Sequence, residues 1–140
     1  MVGRCETTLD QRDLDAKVLQ QMYDEAKAKS KQFAEEEGCT VEWNEIWKIE
    51  PIPFHPKLLS FCDDAVTKAS GNLVRMPSGP LHDAAEVARA GIPTAMIFTQ
   101  SLKGISHNKI EDTQEAHIEM GVTALDLLAD STIAWILNKN

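Results

Sequence analysis

The sequence predicts an α/β fold, and three observations carry that expectation. Residues 5–12 and 40–50 alternate apolar and polar side chains on either side of a long stripe with helical spacing. The run TAMIFT (94–99) is continuously apolar, as a strand buried on both faces would be. The last twenty-odd residues repeat apolar side chains every three or four positions.

The elements follow in order. In the first predicted strand Cys5, Thr7 and Leu9 share one face, and Thr8, Asp10 and Arg12 the other. Such a strand needs an edge partner. Asp13 is the expected N-cap of a helix whose stripe is Leu14, Val18, Met22, Ala26 and Phe33, closed by Gly38. In the next strand Val41, Trp43, Trp47 and Ile49 share a face. The two Trp read as packing onto the helix rather than as a binding platform. Residues 4–50 thus form one β-α-β unit, with its strands expected to be parallel. Pro51-Ile52-Pro53 marks a domain boundary.

Pro56 suits the first turn of a second helix. Its core face is Leu58, Leu59, Cys62, Ala65, Val66 and Ala69, which makes Cys62 a core thiol. His55 reads as a capping or surface residue. A short strand (73–76), a turn at Ser78-Gly79-Pro80, a short helix (84–90), the TAMIFT strand and a loop follow. The last helix starts at Glu111 or Thr113. Its expected buried stripe is Ile118, Val122, Leu125, Leu128, Ala129, Ile133 and Ile136, with His117 exposed.

The totals exclude several function classes. A length of 140 residues allows one average domain or two small ones. A net charge of -8 argues against nucleic acid and against anionic membrane surfaces as partners. No fully apolar run is long enough to span a bilayer. The opening MVGRCETTLDQR has no apolar signal-peptide region. The odd, widely spaced set Cys5, Cys39 and Cys62 fits reduced thiols and a cytoplasmic location, and no CxxC exists.

Chemistry is concentrated in MPSGPLHDAAEVARAGIPTAMIFTQSLKGISH (76–107). His82 and His107 both stand where chain meets loop, as ligands do at the carboxyl edge of a parallel sheet. With Asp83 and Glu111 nearby, a metal is the first possibility. A catalytic zinc takes about three protein ligands, however, and the chain has only four His. A lone loop His is more often structural. Ser78 and Ser106 lie near His residues, but there is no GxSxG elbow. Ser78-Gly79 before a helix is a weak phosphate cradle, since no P-loop pattern is present. Arg12 offers a planar fork for a substrate carboxylate. On spacing alone a surface ion pair with Asp10 or Asp13 is the preferred reading.

Four stretches in one order, TLDQRDLD (8–15), MPSGPLHDA (76–84), IPTAMIF (92–98) and GISHNKIED (104–112), resemble the carboxyl-terminal part of the M20-type metal-dependent amidohydrolases. The branch they resemble contains the N-carbamoyl-L-amino acid hydrolases, allantoate amidohydrolases and β-ureidopropionases. The resemblance implies a partial M20-type fold. Residues 1–50 would be the second half of a ferredoxin-like lid and dimerisation domain, and 51–140 the final segment of a catalytic domain holding two metal ions (Zn, Mn or Co). His107 matches the last metal ligand. Arg12 matches the lid arginine that binds the substrate carboxylate. His82 matches an active-site His next to the substrate.

The implied reaction is hydrolysis of a C–N bond in a linear ureido or amide substrate by a metal-activated water, with a Glu as general base. Pro80 and Leu81 replace the family's usual small residues, and Lys103-Gly104 stands where Gly-Gly is common. Both bear on the pocket and hence on substrate choice. The remaining metal ligands, the catalytic Glu and the first half of the lid would lie upstream of this sequence. The expectation is therefore part of a larger amidohydrolase, inactive by itself, in a homo-oligomer or domain-swapped assembly. The rivals are a non-catalytic, self-associating interaction module with open sheet edges, and a small stand-alone hydrolase using His82 and Asp83.

Overall fold

The structure is a computed structural model, described here for residues 3–138. The outermost residues of the two predicted domains, 1–2 and 139–140, lie outside the described residues. The chain divides into two compact units, Met1–Pro53 and Phe54–Asn140. The sequence boundary had been drawn at 50/51.

The first unit is one long helix with a chain segment folded back on it. Helix α1 spans Ala16–Glu37. Asp15, not Asp13, is its N-cap: its carboxylate accepts the Lys17 N–H at 2.7 Å. Asp13 instead accepts the Asp15 N–H at 2.7 Å, a tight turn that delays the helix start. Gly38 ends the helix at φ 65°, a left-handed cap that glycine adopts without strain. Returning along α1, Trp43 donates its Nε1–H to Ser30 Oγ at 2.8 Å and packs edge-on to Tyr23 at 5.5 Å. Lys48 reaches Gln20 at 3.1 Å.

The face of α1 that is covered is Leu19, Tyr23, Ala26, Ser30 and Ala34. That differs from the expected stripe, of which Leu14, Val18, Met22 and Phe33 are exposed. Trp43 is half-buried while Trp47 is 65% exposed, so the two Trp do not share one covered face.

The second unit is built on a helix pair. Helix α2 spans Pro56–Ser70, starts with Pro at its first position and ends on Gly71 at φ 73°. Its expected core face holds: Leu58, Cys62 and Ala65 are buried, and Leu59, Val66 and Ala69 are half-buried. Helix α3 is Asp83–Arg89, and helix α4 is Glu115–Leu137. Helix α4 starts after Glu111 and Thr113: Glu111 and Asp112 bond back into the preceding loop, and the Thr113 N–H is taken by the Asp112 side chain. It runs antiparallel to α2, with Trp135 against Phe61 at 6.2 Å and against the His55 ring at 5.4 Å.

The expected stripe of α4 is largely overturned, although Leu128 is half-buried. Ile118, Val122, Leu125, Ile133 and Ile136 are 50–62% exposed, while Ala124 is buried and half-buried residues including His117, Leu127, Ser131 and Trp135 line the same face. Helix α4 carries apolar side chains on two faces, and the smaller, closer-packing one meets α2. For the same reason α4 is long and apolar enough to cross a bilayer by length and composition, with a hydropathy of 1.4. The expectation drawn from uninterrupted apolar runs had missed this.

No β-strand is present among the described residues, so the β-α-β arrangement is not formed here. The segments expected as strands (5–12, 40–50, 73–76 and 94–99) make no ladder of backbone bonds. The 94–99 segment is nevertheless held in place. The Thr94 carbonyl accepts the His55 N–H at 3.0 Å, and residues 94–97 are half-buried. At its other end Thr99 Cγ2 comes so near Gly121 of α4 that a Cβ there would sit 2.7 Å away.

Alternation in a sequence tells which face a strand would bury; pairing needs a second edge. The accessible surface supports that reading. It totals 11369 Å², against at most roughly 8,700 Å² for two compact folded domains sharing this mass. Among the described residues the buried apolar ones are Ala34, Leu58, Cys62, Ala65, Ala85 and Ala124, mostly alanines. Large apolar side chains such as Ile46, Trp47 and Val74 remain outside.

Candidate functional site

Three sequence-predicted residues define the candidate site, and the two units hold them separately. Arg12 belongs to the first unit; His82 and His107 belong to the second.

Arg12 turns its fork onto Asp10. Nε donates to Oδ1 at 3.0 Å and Nη2 to Oδ2, a bidentate pair. The hydrogen bond from Arg12 holds the Asp10 carboxyl below the usual range, and the bond to Asp10 raises the guanidinium. Both side chains are exposed. The fork therefore already grips a carboxylate, in the geometry a substrate carboxylate would use.

His82 is the N-cap of α3, at φ -120° and ψ 150°. Its ring Nδ1 accepts the Ala84 N–H at 3.1 Å, and its carbonyl accepts the Ala85 N–H at 2.8 Å. Asp83 and Glu86 in the first turn complement the helix dipole. Ahead of it, the Ser78 hydroxyl donates to the Pro80 carbonyl at 2.8 Å, which ties Ser78 to the turn rather than to a histidine base. The segment leading into this turn is fixed by Arg75, whose fork meets Asp63 of α2. That bond lowers the Asp63 carboxyl and raises Arg75. Next to it, burial pushes the Cys62 thiol up, with the Asp63 charge adding to the effect. No sequence pattern had pointed to this pair, because its partners are twelve residues apart on different elements.

His107 is held through its backbone. It adopts φ 54°, a left-handed conformation uncommon for a residue with a side chain. Its N–H donates to Glu111 Oε2 at 2.7 Å. Asn108 braces the same turn, taking the Ile110 N–H on Oδ1 at 3.2 Å and the Glu111 N–H on its carbonyl at 2.9 Å. The loop is shut at its base by Leu102 N–H to the Asp112 carbonyl at 2.7 Å. A single 3-10 turn, Leu102–Gly104, sits inside it, with Lys103 at φ 58° and Gly104 at φ 67°. Several positive-φ residues in one short closed loop mark a site of stored strain. Sequence reading had noted Glu111 only as a nearby carboxylate or helix start.

The other two His residues lie in the helix pair of the second unit. His55 and His117 each have a buried Nδ1 with no hydrogen-bond partner, and the His55 ring lies against Trp135. His117 is half-buried in the first turn of α4, not exposed as expected.

Among the described residues no three His, Cys, Asp or Glu side chains are grouped to hold a metal ion. Glu111, the carboxylate beside His107, spends one oxygen on the His107 backbone. A catalytic zinc takes about three protein ligands, and no such set stands together among the described residues.

Residues 3–131 match the Peptidase family M20/M25/M40, and the chain belongs to that family. It is 29% identical over 133 residues to an allantoate amidohydrolase of Escherichia coli (strain K12), covering 95% of this chain and 32% of the relative. It is 31% identical to an allantoate amidohydrolase of Bacillus subtilis (strain 168), covering 90% of this chain and 31% of the relative. An N-carbamoyl-L-amino-acid amidohydrolase of Rhizobium meliloti is 30% identical, with 88% and 29% covered. The chain thus spans about a third of the length of these curated relatives. No solved structure gives a significant match.

Proposed function

We propose that this chain is part of a metal-dependent amidohydrolase that cleaves a C–N bond in a linear ureido or amide substrate bearing a carboxylate. Allantoate and N-carbamoyl-L-amino acids are the substrate classes, by analogy with the named relatives. The observation that supports it most is the braced left-handed turn at His107, which costs about 1–3 kcal/mol of backbone strain and leaves the imidazole without a hydrogen bond of its own. In this reading His107 is one ligand of a Zn, Mn or Co site. Arg12 anchors the substrate carboxylate in exchange for Asp10, and His82 contacts the substrate. Residues 1–50 serve as half of a lid domain and 51–140 as a segment of the catalytic domain. The other ligands and the general base come from outside this chain, so the chain alone is inactive. A cytoplasmic location goes with this reading, as do three free thiols.

The test is a chimera in which residues 3–131 replace the matching segment of the Escherichia coli allantoate amidohydrolase. Ammonia release from allantoate or N-carbamoyl-L-amino acids is expected from the chimera and not from the 140-residue chain. A folded chimera inert on both substrate classes would refute the reading. Within an active chimera, Arg12→Lys should raise KM about tenfold, because a point charge replaces a bidentate fork.

The second reading is a self-associating module. It is favoured by the surplus accessible surface and by the exposed stripe of α4. It predicts a mass in solution that rises with concentration, together with a chimera that lacks activity.

A further inference from the structure

We propose that Gly121 is a positioning residue for the loop that carries His107: it allows both ends of that loop to be mounted on α4. The proposal rests on the amidohydrolase reading only for what His107 does there.

The outgoing end of the loop runs straight into the helix. The Asp112 carboxylate accepts the Thr113 N–H at 2.8 Å. The Gln114 carbonyl, at the N-cap of α4, accepts the His117 and Ile118 N–H groups at 2.9 and 3.2 Å. The incoming end has no such bonds. Residues 95–100 make no backbone hydrogen bond among the described residues. What locates this end is the packing of Thr99 onto α4. A Cβ at Gly121 would lie 2.7 Å from Thr99 Cγ2, well inside the 3.4 Å at which ordinary contact begins. Three residues after Thr99, the Leu102 N–H meets the Asp112 carbonyl at 2.7 Å and shuts the loop. The two mounts stand on one helix, Gly121 lying about 9 Å along the axis from Glu115.

Glycine inside a helix is unfavourable, because it has more backbone freedom to lose than any other residue. No positive φ calls for it at 121. Close approach does. Thr99 is β-branched, so its methyl group is fixed by χ1. A side chain at 121 must either turn that methyl group away or push the segment off the helix. A push at Thr99 passes through Gln100 and Ser101 to the Leu102–Asp112 closure. From there it reaches His107, whose left-handed turn is braced by Glu111 inside the same loop. Gly121 thus acts through Thr99 on where His107 sits.

The experiment locates the loop in the folded 140-residue chain by residual dipolar couplings of backbone amides. Gly121→Ala is compared with the wild-type chain and with Gly121→Ala/Thr99→Ser, where the added methyl group takes the space of the one removed. The expected result is a change at Leu102, Ile105 and His107 in the single variant, none at the α2 amides, and wild-type values in the double variant. Unchanged couplings at those three amides in Gly121→Ala overturn the proposal, since Thr99 would then have turned aside without moving the loop. A change that persists in the double variant overturns it as well. Should Gly121→Ala not fold, Thr99→Ser alone removes the contact and should shift the same three amides; no shift overturns the proposal. The second readout is kinetic. In an active chimera Gly121→Ala should lower kcat about tenfold with KM nearly unchanged, as a misplaced reacting group does, and adding Thr99→Ser should restore it. An unchanged kcat would remove the positioning role. The outcomes stay separable from the broader reading. An inert chimera with the expected couplings refutes the amidohydrolase reading and leaves the mount. An active chimera whose loop amides do not move does the reverse.

Discussion

His82 and His107 stand in two loops of the same unit and are fixed in opposite ways. His82 spends a ring nitrogen on its own helix, and its backbone is an ordinary N-cap. His107 spends its backbone amide on Glu111, accepts a left-handed φ, and its ring makes no hydrogen bond among the described residues. The segments that feed the two loops differ as well. The one before His82 is tied down by an ion pair between exposed Arg75 and half-buried Asp63. The one before His107 is held by close packing of Thr99 against Gly121 and by a backbone bond at Thr94. A histidine can thus be fixed in a loop either through a ring nitrogen, which commits part of the side chain, or through its backbone amide, which leaves the ring to other partners.

The largest expected effect is at His107. In an active chimera His107→Ala should reduce ammonia release to background, because the substitution leaves the brace intact and removes only the ring. Next is the brace itself. Glu111→Ala should cost about 10–100-fold in turnover or metal affinity, as loss of a ligand's supporting partner does. Glu111→Gln keeps an oxygen for the His107 N–H and should retain most activity. Equal losses in both variants would assign Glu111 a charge role instead.

A smaller effect concerns the packed segment. Gly121→Ala should destabilise the chain by about 1–3 kcal/mol through overpacking against Thr99. Thr99→Ser, which removes the clashing methyl, should restore much of that in denaturant unfolding. The smallest effect belongs to the ion pair. The hydrogen bond from Arg75 holds the Asp63 carboxyl below its ordinary value, so its contribution is full above that ordinary value and is lost as pH falls through the lower, folded-state pKa. Arg75→Ala should flatten that acid limb in a pH series of melting temperatures. Because Arg75 is exposed, added salt should weaken the pair too.

Part of this was legible in the sequence. The α2 face was, because Leu58, Cys62 and Ala65 form the one stripe in that helix that can be buried. The stripes of α1 and α4 were misread. Both helices have two apolar faces, and the sequence ranks them by bulk, whereas close approach selects the face with Ala34 or with Gly121 and Ala124. The strands failed for another reason. Alternation at 5–12 and 40–50 is a property of one chain segment, while a ladder belongs to two. In the site, His82 and His107 stood out through the motifs around them. The Glu111 brace was hidden because it depends on the backbone turning left-handed at His107, a conformation histidine adopts more readily than most side chains but which no spacing in the sequence marks. The Arg12 fork was visible, and so was its pairing with Asp10, since both lie on the same face two residues apart.

In the proposed amidohydrolase this chain would supply one ligand of a metal centre, His107, and not the whole centre. The direct measurement is metal per chain by elemental analysis of the purified 140-residue protein, stripped of loosely bound ions. Well under one ion per chain is the predicted result. One or two tightly held ions per chain would contradict the account, since His82, His107 and nearby carboxylates would then complete a site without help from any other sequence.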